Sequence, residues 1–578
     1  MPRRTAADLL IEGLLENGQT TLFANLGTDH VTIVEELARR EANGLPIPNV
    51  IAVPHENVAV HMAGGYAAMT GRGQAVLVHV DAGTANAAMA MHNLRRGRLP
   101  VLLMAGRAPS ALRGELPAGR DTYVHFVQDP FDIASIVRPY IKWEYGLPSG
   151  AVAKSVLMRA VAIMQSDPPG PVYLTLPREI LAESFDVATL RDPPALQDTP
   201  VAAGGVTPEV ARRIARILMA AENPLVVTAY LGRNHAAPAV LGALAEEAGI
   251  RVVEASPHWL NLPQDHPCHM GFDAAPFLRQ ADAGILLDVD VPWMPQLVQE
   301  NPATRWIHLD VDPLKQGLPL WGFPAELRLQ ADSATVLAQV LEVIRAEADD
   351  GYHARVHARL TVFASFREQR ARRLADAATI PGKRDAVAPA YLCARLAAQM
   401  HADDIVLNEA IRNTPAVCNY MPRSLPGTYS GLAGGGLGYS GGMALGFKLA
   451  RPEARVVQVI GDGGFHFSAP DAVYATAQAY NLPIFTVVMD NGGWQAVKEA
   501  TLRVHPQGAA AASDRFFSKL EGGRRRFEQV GMAFGAHGEY VDEPEALDAA
   551  IGRCFAAIAR GQAAVMTVRI TPMSREGG

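Results

Sequence analysis

Short apolar runs with polar or glycine-rich exits alternate along the chain with longer stretches of helical spacing. The first runs are TLFANLG, VIAVP, QAVLVHV, LPVLLMAG and PVYLTLP, and helical stretches such as 58–69 and 85–94 lie between them. This order predicts a parallel α/β domain over residues 1–185. A proline-bearing linker, 186–205, precedes a second α/β unit over 200–350, carried by ENPLVVTAYLG, IRVVEAS, AGILLDV and RWIHLDVDP. A charged helical stretch then leads to a third domain, 375–578. Its strands are read at IVLNEA, VVQVI, IFTVVM and RGQAAVMTVRI.

The chemistry concentrates where apolar runs end. VVQVI stops at Gly461-Asp462-Gly463-Gly464, a helix is expected over 468–480, and IFTVVM stops at Asp490-Asn491-Gly492-Gly493. Two parallel strands joined by a crossover helix bring their C-terminal ends side by side. Asp462 and Asn491 then share the sheet edge where α/β proteins bind ligands. A carboxylate and an amide oxygen are hard ligands suited to Mg²⁺ or Ca²⁺. The glycines let backbone N–H groups approach a phosphate. A lone Gly-Asp-Gly would be an ordinary strand–turn–helix unit; the paired Asp-Asn-Gly-Gly favours a ligand site.

Three exits in the first domain are also polar: Asn25 to His30, Pro54-His55-Glu56-Asn57, and His79 to Asn86. Taken alone, Glu56 reads as a first-turn carboxylate stabilising a helix dipole.

Gly-Asp-Gly followed by Asn at this spacing resembles the diphosphate-binding signature of thiamine diphosphate (ThDP) enzymes, whose fold is three doubly wound parallel-sheet α/β domains. The resemblance implies Mg²⁺ on Asp462, Asn491 and the Gly493 carbonyl. The signature usually carries two Asn; the first is Asp490 here, which adds a nearby charge. The family also needs a carboxyl group beside the aminopyrimidine ring, and Glu56, before an Ala/Gly-rich helix ending in GYAAMTGR, is the match. Further cofactor contacts implied are Asn408, Glu409, Gly435, Leu437, Gly461, Gly463, Gly464 and Trp494, with Leu437 as the bulky residue that props the bent coenzyme.

The segment from His79 and the run from Asn408-Glu409 to Gly463 are similar to the benzoylformate decarboxylase branch. That similarity implies His79 in proton transfer, for which imidazole is suited near neutral pH. Thr28 matches a serine there, and its hydroxyl could hold a substrate carboxylate. Asp29 and His30 do not match and are candidates to reach the substrate. His125 and Gln128 are further candidates or plain surface-loop residues. The middle domain lacks Gly-x-Gly-x-x-Gly, and Asp288, Asp290 and Pro292 are poor phosphate binders, so it reads as scaffold. The branch's second active-site histidine is missing near Pro292 to Met294; Trp293 and Met294 are read as pocket lining or as an apolar plug.

The implied activity is a ThDP- and Mg²⁺-dependent 2-oxo acid decarboxylase/carboligase, breaking a C–C bond through the thiazolium C2 carbanion. Alternatives are an acetolactate-synthase-like carboligase, a 2-hydroxyacyl-CoA lyase and, in another class, a non-catalytic scaffold. An acyl-CoA would call for basic residues near the entrance. Arg95, Arg96, Arg98 and the run Arg524 to Arg526 serve that reading or form a solvated face. The family pairs the first domain of one subunit with the third of another, implying a homodimer or homotetramer with interface sites. The alanine-rich stretch after Trp494 reads as a cover over the site or a surface excursion.

Composition narrows the partners. At 578 residues the chain exceeds one core. A net charge of −7 and a pI near 6.2 argue against nucleic acid as a partner. Four scattered cysteines form neither a metal spacing nor a disulfide framework, as expected of a reducing compartment. The N-terminus reads as an amphipathic helix and not a signal peptide, and no apolar run is long enough to span a bilayer. A cytoplasmic protein without membrane partners is expected.

Overall fold

The computed structural model describes residues 3–191, 193, 200–520 and 524–571. Most of the linker's centre and the last residues of the chain lie outside that set. Three sheets, each wholly parallel, carry the molecule. The first has the spatial order Asn49–Ala52, Thr21–Ala24, Gln74–Val78, Val101–Arg107, Val172–Pro177, Glu144–Gly146. The middle sheet runs Arg251–Glu254, Pro224–Thr228, Ala283–Leu287, Arg305–Asp310, Leu327–Gln330. The third runs Tyr429–Gly431, Ile405–Glu409, Val456–Gly461, Phe485–Asp490, Ala564–Arg569, His537–Val541. Two short antiparallel pairs, Arg3–Thr5 with Ser184–Asp186 and Gly382–Lys383 with Ala386–Val387, complete the strands.

In every sheet the strand that comes first lies inside, between the second and third. The chain therefore winds away in both directions from that strand, and a crevice opens beyond its C-terminal end. The central strands are buried on both faces, which explains runs such as Val456 to Ile460 that show no alternation.

Helix Glu56–Thr70 packs along helix Ser440–Ala450 and joins the first domain to the third within one chain. Glycines set the approach. A Cβ on Gly446 would lie 2.1 Å from the Met62 carbonyl oxygen, and one on Gly65 would lie 2.4 Å from that of Met443. The glycine density from 431 to 446 is thus spent partly on backbone-to-backbone packing.

The middle domain's crevice is filled by charged side chains from two domains. Arg98 enters from the first domain, bonding Asp290 at 2.8 Å with its guanidinium 3.9 Å from the Tyr230 ring centre. The Lys315 ammonium lies 3.0 Å from Asp290 and also bonds Asp310 and the Tyr230 hydroxyl. Trp293 packs against Trp306 and Phe323 with ring centres 5.2 Å apart, whereas Met294 is exposed.

Several elements differ from the sequence expectation. The helix expected over 468–480 is found at Pro470–Ala479, and a separate short helix, Asp462–Phe467, precedes it at the glycine exit, ended before Pro470, which cannot continue it. The stretch after Trp494 folds as helices Gln495–Val504 and Ala509–Ser513. The arginines of the basic-entrance reading are largely paired, Arg98 with Asp290, Arg524 with Asp542, Arg525 with Asp490 and Arg526 with Glu528. No helix among the described residues is long and apolar enough to cross a membrane.

Candidate functional site

At the third sheet's crevice, Val456–Gly461 and Phe485–Asp490 are hydrogen-bonded neighbours, with Gly461 beside Met489. Their exits therefore meet. Asp462 opens the short helix after the first strand; its Oδ2 accepts Gly492 N–H at 3.0 Å and Gly493 N–H at 2.8 Å. Its Oδ1 accepts Gly463 N–H at 2.9 Å. Burial and the charge of Asp490 push the Asp462 carboxyl upward. Asn491 Oδ1 is buried and has no hydrogen-bond partner. A buried amide oxygen left unpaired is costly, and a cation beside Asp462 would satisfy it. The Gly493 carbonyl accepts Gln495 N–H at 3.0 Å and keeps a second lone pair. This donor set fits a hard divalent ion.

Around it, glycine leaves room for an anion. A Cβ on Gly461 would meet nothing within 4 Å, and Gly435, at φ +77°, also faces open space. The Trp494 indole lies over Gly463, where a Cβ would come within 2.7 Å of Nε1. The sequence brings Asp462, Asn491, Gly493, Gly461, Gly463, Gly464 and Trp494 to one place as expected from the strand exits.

The other strand exit is used differently. Glu409 is fully buried; its carboxylate accepts the N–H groups of Gly438 and Ser440 and the Ser440 hydroxyl at 2.6 Å. Burial pushes this carboxyl up to about 7. Asn408 donates to the Tyr429 hydroxyl at 3.0 Å and accepts Ala410 N–H at 3.0 Å. Glu409 thus ties the strand to the glycine loop that presents half-buried Leu437, and Asn408 ties it to Tyr429 on the neighbouring strand. Asn408 and Gly435 also line a cleft of about 500 Å³ with Arg412, Thr414, Glu499 and Arg503. No motif marks Arg412 in the sequence; only its position just past Asn408-Glu409 points to it. It pairs with Glu499 on helix Gln495–Val504, which buries none of its residues and lies against this cleft.

The first sheet's exits form a second cluster. Glu56 is buried at the first turn of its helix and accepts from Asn86 Nδ2 at 3.0 Å. The next residue, Asn57, reaches the Gly438 carbonyl at 3.5 Å, so the Glu56 helix end abuts the loop carrying Leu437. His79 caps the neighbouring helix. Its Nδ1 lies 2.5 Å from Asp29 Oδ1 and its Nε2 lies 3.0 Å from Gln128 Oε1. The Asp29 carboxylate raises the His79 pKa. Asp29 itself is fully buried, and its Oδ2 also accepts Val80 N–H at 3.2 Å. His30 is fully buried too; its Nδ1 accepts Gly27 N–H, and burial lowers it to about 4. Both Asp29 and His30 therefore point inward. Exposed Thr28 stands 3.4 Å from His125 Nε2. His125 is buried on the short helix Val124–Val127 and Gln128 follows that helix, so this segment meets Thr28 and His79.

The chain matches the description "Thiamine pyrophosphate enzyme, N-terminal TPP binding domain" over residues 4–136 and "Thiamine pyrophosphate enzyme, C-terminal TPP binding domain" over 413–568. It belongs to the thiamine pyrophosphate enzymes. It is 23% identical to the acetolactate synthase isozyme 3 large subunit of Escherichia coli, covering 100% of this chain and 98% of that one. It is 25% identical to benzoylformate decarboxylase of Pseudomonas aeruginosa over 86% of this chain and 87% of that one. Among solved structures, the 4-hydroxybenzoylformate decarboxylase of Rhodococcus jostii RHA1 superposes with a TM-score of 0.77 at 20% identity, covering 98% and 99% of the two chains. The benzoylformate decarboxylase of Polynucleobacter necessarius gives 0.78 at 20% identity, with coverage of 98% and 99%. The protein is a ThDP-dependent enzyme related to both groups.

Proposed function

We propose that the chain is a 2-oxo acid decarboxylase with carboligase capacity, with Asp462, Asn491 and the Gly493 carbonyl holding Mg²⁺ and the glycine exits holding the diphosphate. The observation that carries this is the buried, unpartnered Asn491 Oδ1 beside Asp462 at paired strand ends. ThDP, when bound, supplies the electron sink that amino-acid side chains lack. Glu56 is the carboxyl for the aminopyrimidine; it is held by Asn86 at a helix start that abuts the Leu437 loop. His79 delivers and removes protons at the reacting molecule, and Thr28 with His125 offers hydrogen bonds to a carboxylate. Helix Gln495–Val504, joined to Arg412 through Glu499, excludes water from the cleft.

An acetolactate-type carboligase is the second reading, supported by the end-to-end match with that large subunit. The acyl-CoA reading lacks such support, because Arg98 and Arg524 to Arg526 are taken up in ion pairs. A silent scaffold is disfavoured by the intact Glu56 and Asp462. We further infer a homodimer or homotetramer, as family resemblance implies; sites at subunit interfaces would pair the first domain of one subunit with the third of another, whereas the Glu56 helix start meets the Leu437 loop within one chain. All four cysteines are free and buried, which suits the cytoplasm.

The test is a panel of 2-oxo acids with ThDP and Mg²⁺, following CO₂ and ligation products. Release of CO₂ from at least one, dependent on both additives, is expected. Turnover without either additive, or of none of the acids, would contradict the reading.

A further inference from the structure

The Asp29–His79 contact is built into the backbone. A Cβ on Gly27 would lie 2.0 Å from His79 Nδ1, and one on Gly106 would lie 1.6 Å from Asp29 Oδ2. Any other residue at either position would expel one partner. Val80, which directly follows His79, holds φ +30°. A β-branched residue pays for that conformation in strain, which persists only where the surroundings enforce it. Here the enforcing contact is visible: the Val80 N–H donates to Asp29 Oδ2 at 3.2 Å. One buried carboxylate thus grips both the ring and the backbone of the histidine's helix start.

We propose that Asp29 is the positioning residue of His79: it fixes the Nδ1–H tautomer and keeps the ring a cation until Gln128 yields Nε2–H to the reacting molecule. This rests on the decarboxylase reading of the same site. Asp29 never meets substrate, being fully buried. Gln128 does not share that burial and directly follows a short helix at the surface, so the reacting molecule displaces it more readily than Asp29. In the transfer, the Nε2–H bond breaks and its electron pair stays on Nε2. The proton passes to a basic atom of the reacting molecule, and Nδ1–H stays bonded to Asp29. Water restores the Nε2 proton after release. Because the hydrogen bond at one nitrogen decides the role of the other, loss of Asp29 frees the opposite tautomer.

The groups acting on His79 are few. Asp29 and His30 come from the helical turn that follows strand Thr21–Ala24, Asp81 from its own helix, and Gln128 from the facing segment. His125, Asp121 and Arg120 lie further along that segment, and His125 senses Asp29. Glu56 lies beside Gly83 on the adjoining helix start. Among these, only Asp29 contacts the ring with a full charge.

The experiment is a titration of the His79 imidazole by NMR in holoenzyme carrying ¹³Cε1-labelled histidine, assigned with His79→Gln, in the wild type and in Asp29→Asn. The pH profile of kcat/KM is read beside it. The expected result is a fall in His79 proton affinity of about tenfold or more in Asp29→Asn, with the profile shifting by the same amount. An unchanged titration in a folded Asp29→Asn protein would overturn the proposal. Should Asp29→Asn not fold, the wild-type titration serves: with the Asp29 carboxylate on Nδ1, His79 should hold its proton to higher pH than a free imidazole. A wild-type His79 titrating at or below the ordinary histidine value would equally overturn it. The titration needs no turnover, so failure of the decarboxylase reading shows separately, as absent wild-type CO₂ release with a normal His79 shift.

Discussion

Asp490 and Arg525 close on each other at the end of the strand that carries Asn491: Arg525 Nη2 lies 2.5 Å and Nε 3.0 Å from Asp490 Oδ1. Asp490 stands where the family signature usually has Asn, and it is nearly fully buried. The extra charge is therefore answered locally and does not face the Asp462 site alone. Removing one member of a buried pair strands the other, at roughly 3–5 kcal/mol, whereas replacing both costs far less. Arg525→Met should lower the unfolding free energy by about 3 kcal/mol, and Asp490→Asn with Arg525→Met should recover most of it. Equal losses in the single and double variants would show that the pairing is incidental.

Asn491 gives a ligand-linked prediction. A ligand that binds only the folded state stabilises it by about 2.7 kcal/mol at one hundred times its dissociation constant. ThDP with Mg²⁺ should raise the melting temperature of the wild type, and EDTA should reverse the gain. Asn491→Ala should melt normally without ligands and lose most of the gain. A full ligand-induced rise in Asn491→Ala would remove this residue from the metal site.

The helix contact between the first and third domains should be intolerant of a single methyl group. Gly446→Ala would place Cβ 2.1 Å from the Met62 carbonyl oxygen, a collision with backbone that side-chain motion cannot relieve. Overpacking of this kind costs about 1–3 kcal/mol or more. Urea unfolding of Gly446→Ala should show at least that loss. Gly435→Ala, with open space around it but φ +77°, should lose about 1 kcal/mol through backbone strain alone.

His61 makes stability depend on pH. Its ring is fully buried, with Nε2 accepting from Asn93 Nδ2 at 3.1 Å, and burial lowers its pKa from 6.5 to about 3. The unfolded chain therefore binds a proton between pH 6.5 and about 3 that the folded chain refuses. Stability from this group is complete above 6.5 and is lost as pH falls through that window. Between pH 7 and pH 5 the loss should be about 2 kcal/mol. Urea midpoints of wild type and His61→Gln at the two pH values check this. The variant should lose about 2 kcal/mol less; parallel losses would exclude His61 as the source.

The parts of the site that were legible in the sequence are those fixed by strand exits. Asp462 and Asn491 had to meet, because parallel neighbours end at one edge, and Glu56 had to start a helix. Side-chain direction within a turn was not legible. Asp29 and Thr28 are adjacent, yet one points into the core and the other to solvent, and only the short helical turn 28–30 decides which. Gln128 and His125 reach His79 and Thr28 through a segment whose path no periodicity encodes. Arg98 was read with a solvated or entrance-lining group, but its partners Asp290 and Tyr230 belong to a different domain. Contacts between domains leave no local pattern. Asp288 and Asp290, read only as poor phosphate binders, sit at a crevice their own chain fills.

The central claim is that Glu56 activates ThDP anchored at Asp462 and Asn491. Its most direct measurement is exchange of the thiazolium C2 proton with D₂O on the bound coenzyme, in wild type and in Glu56→Gln. Binding of ThDP and Mg²⁺ should be retained in the variant, while exchange slows at least about tenfold, as expected on losing an acid–base partner. Exchange at the wild-type rate in Glu56→Gln, with the coenzyme bound, would contradict the account.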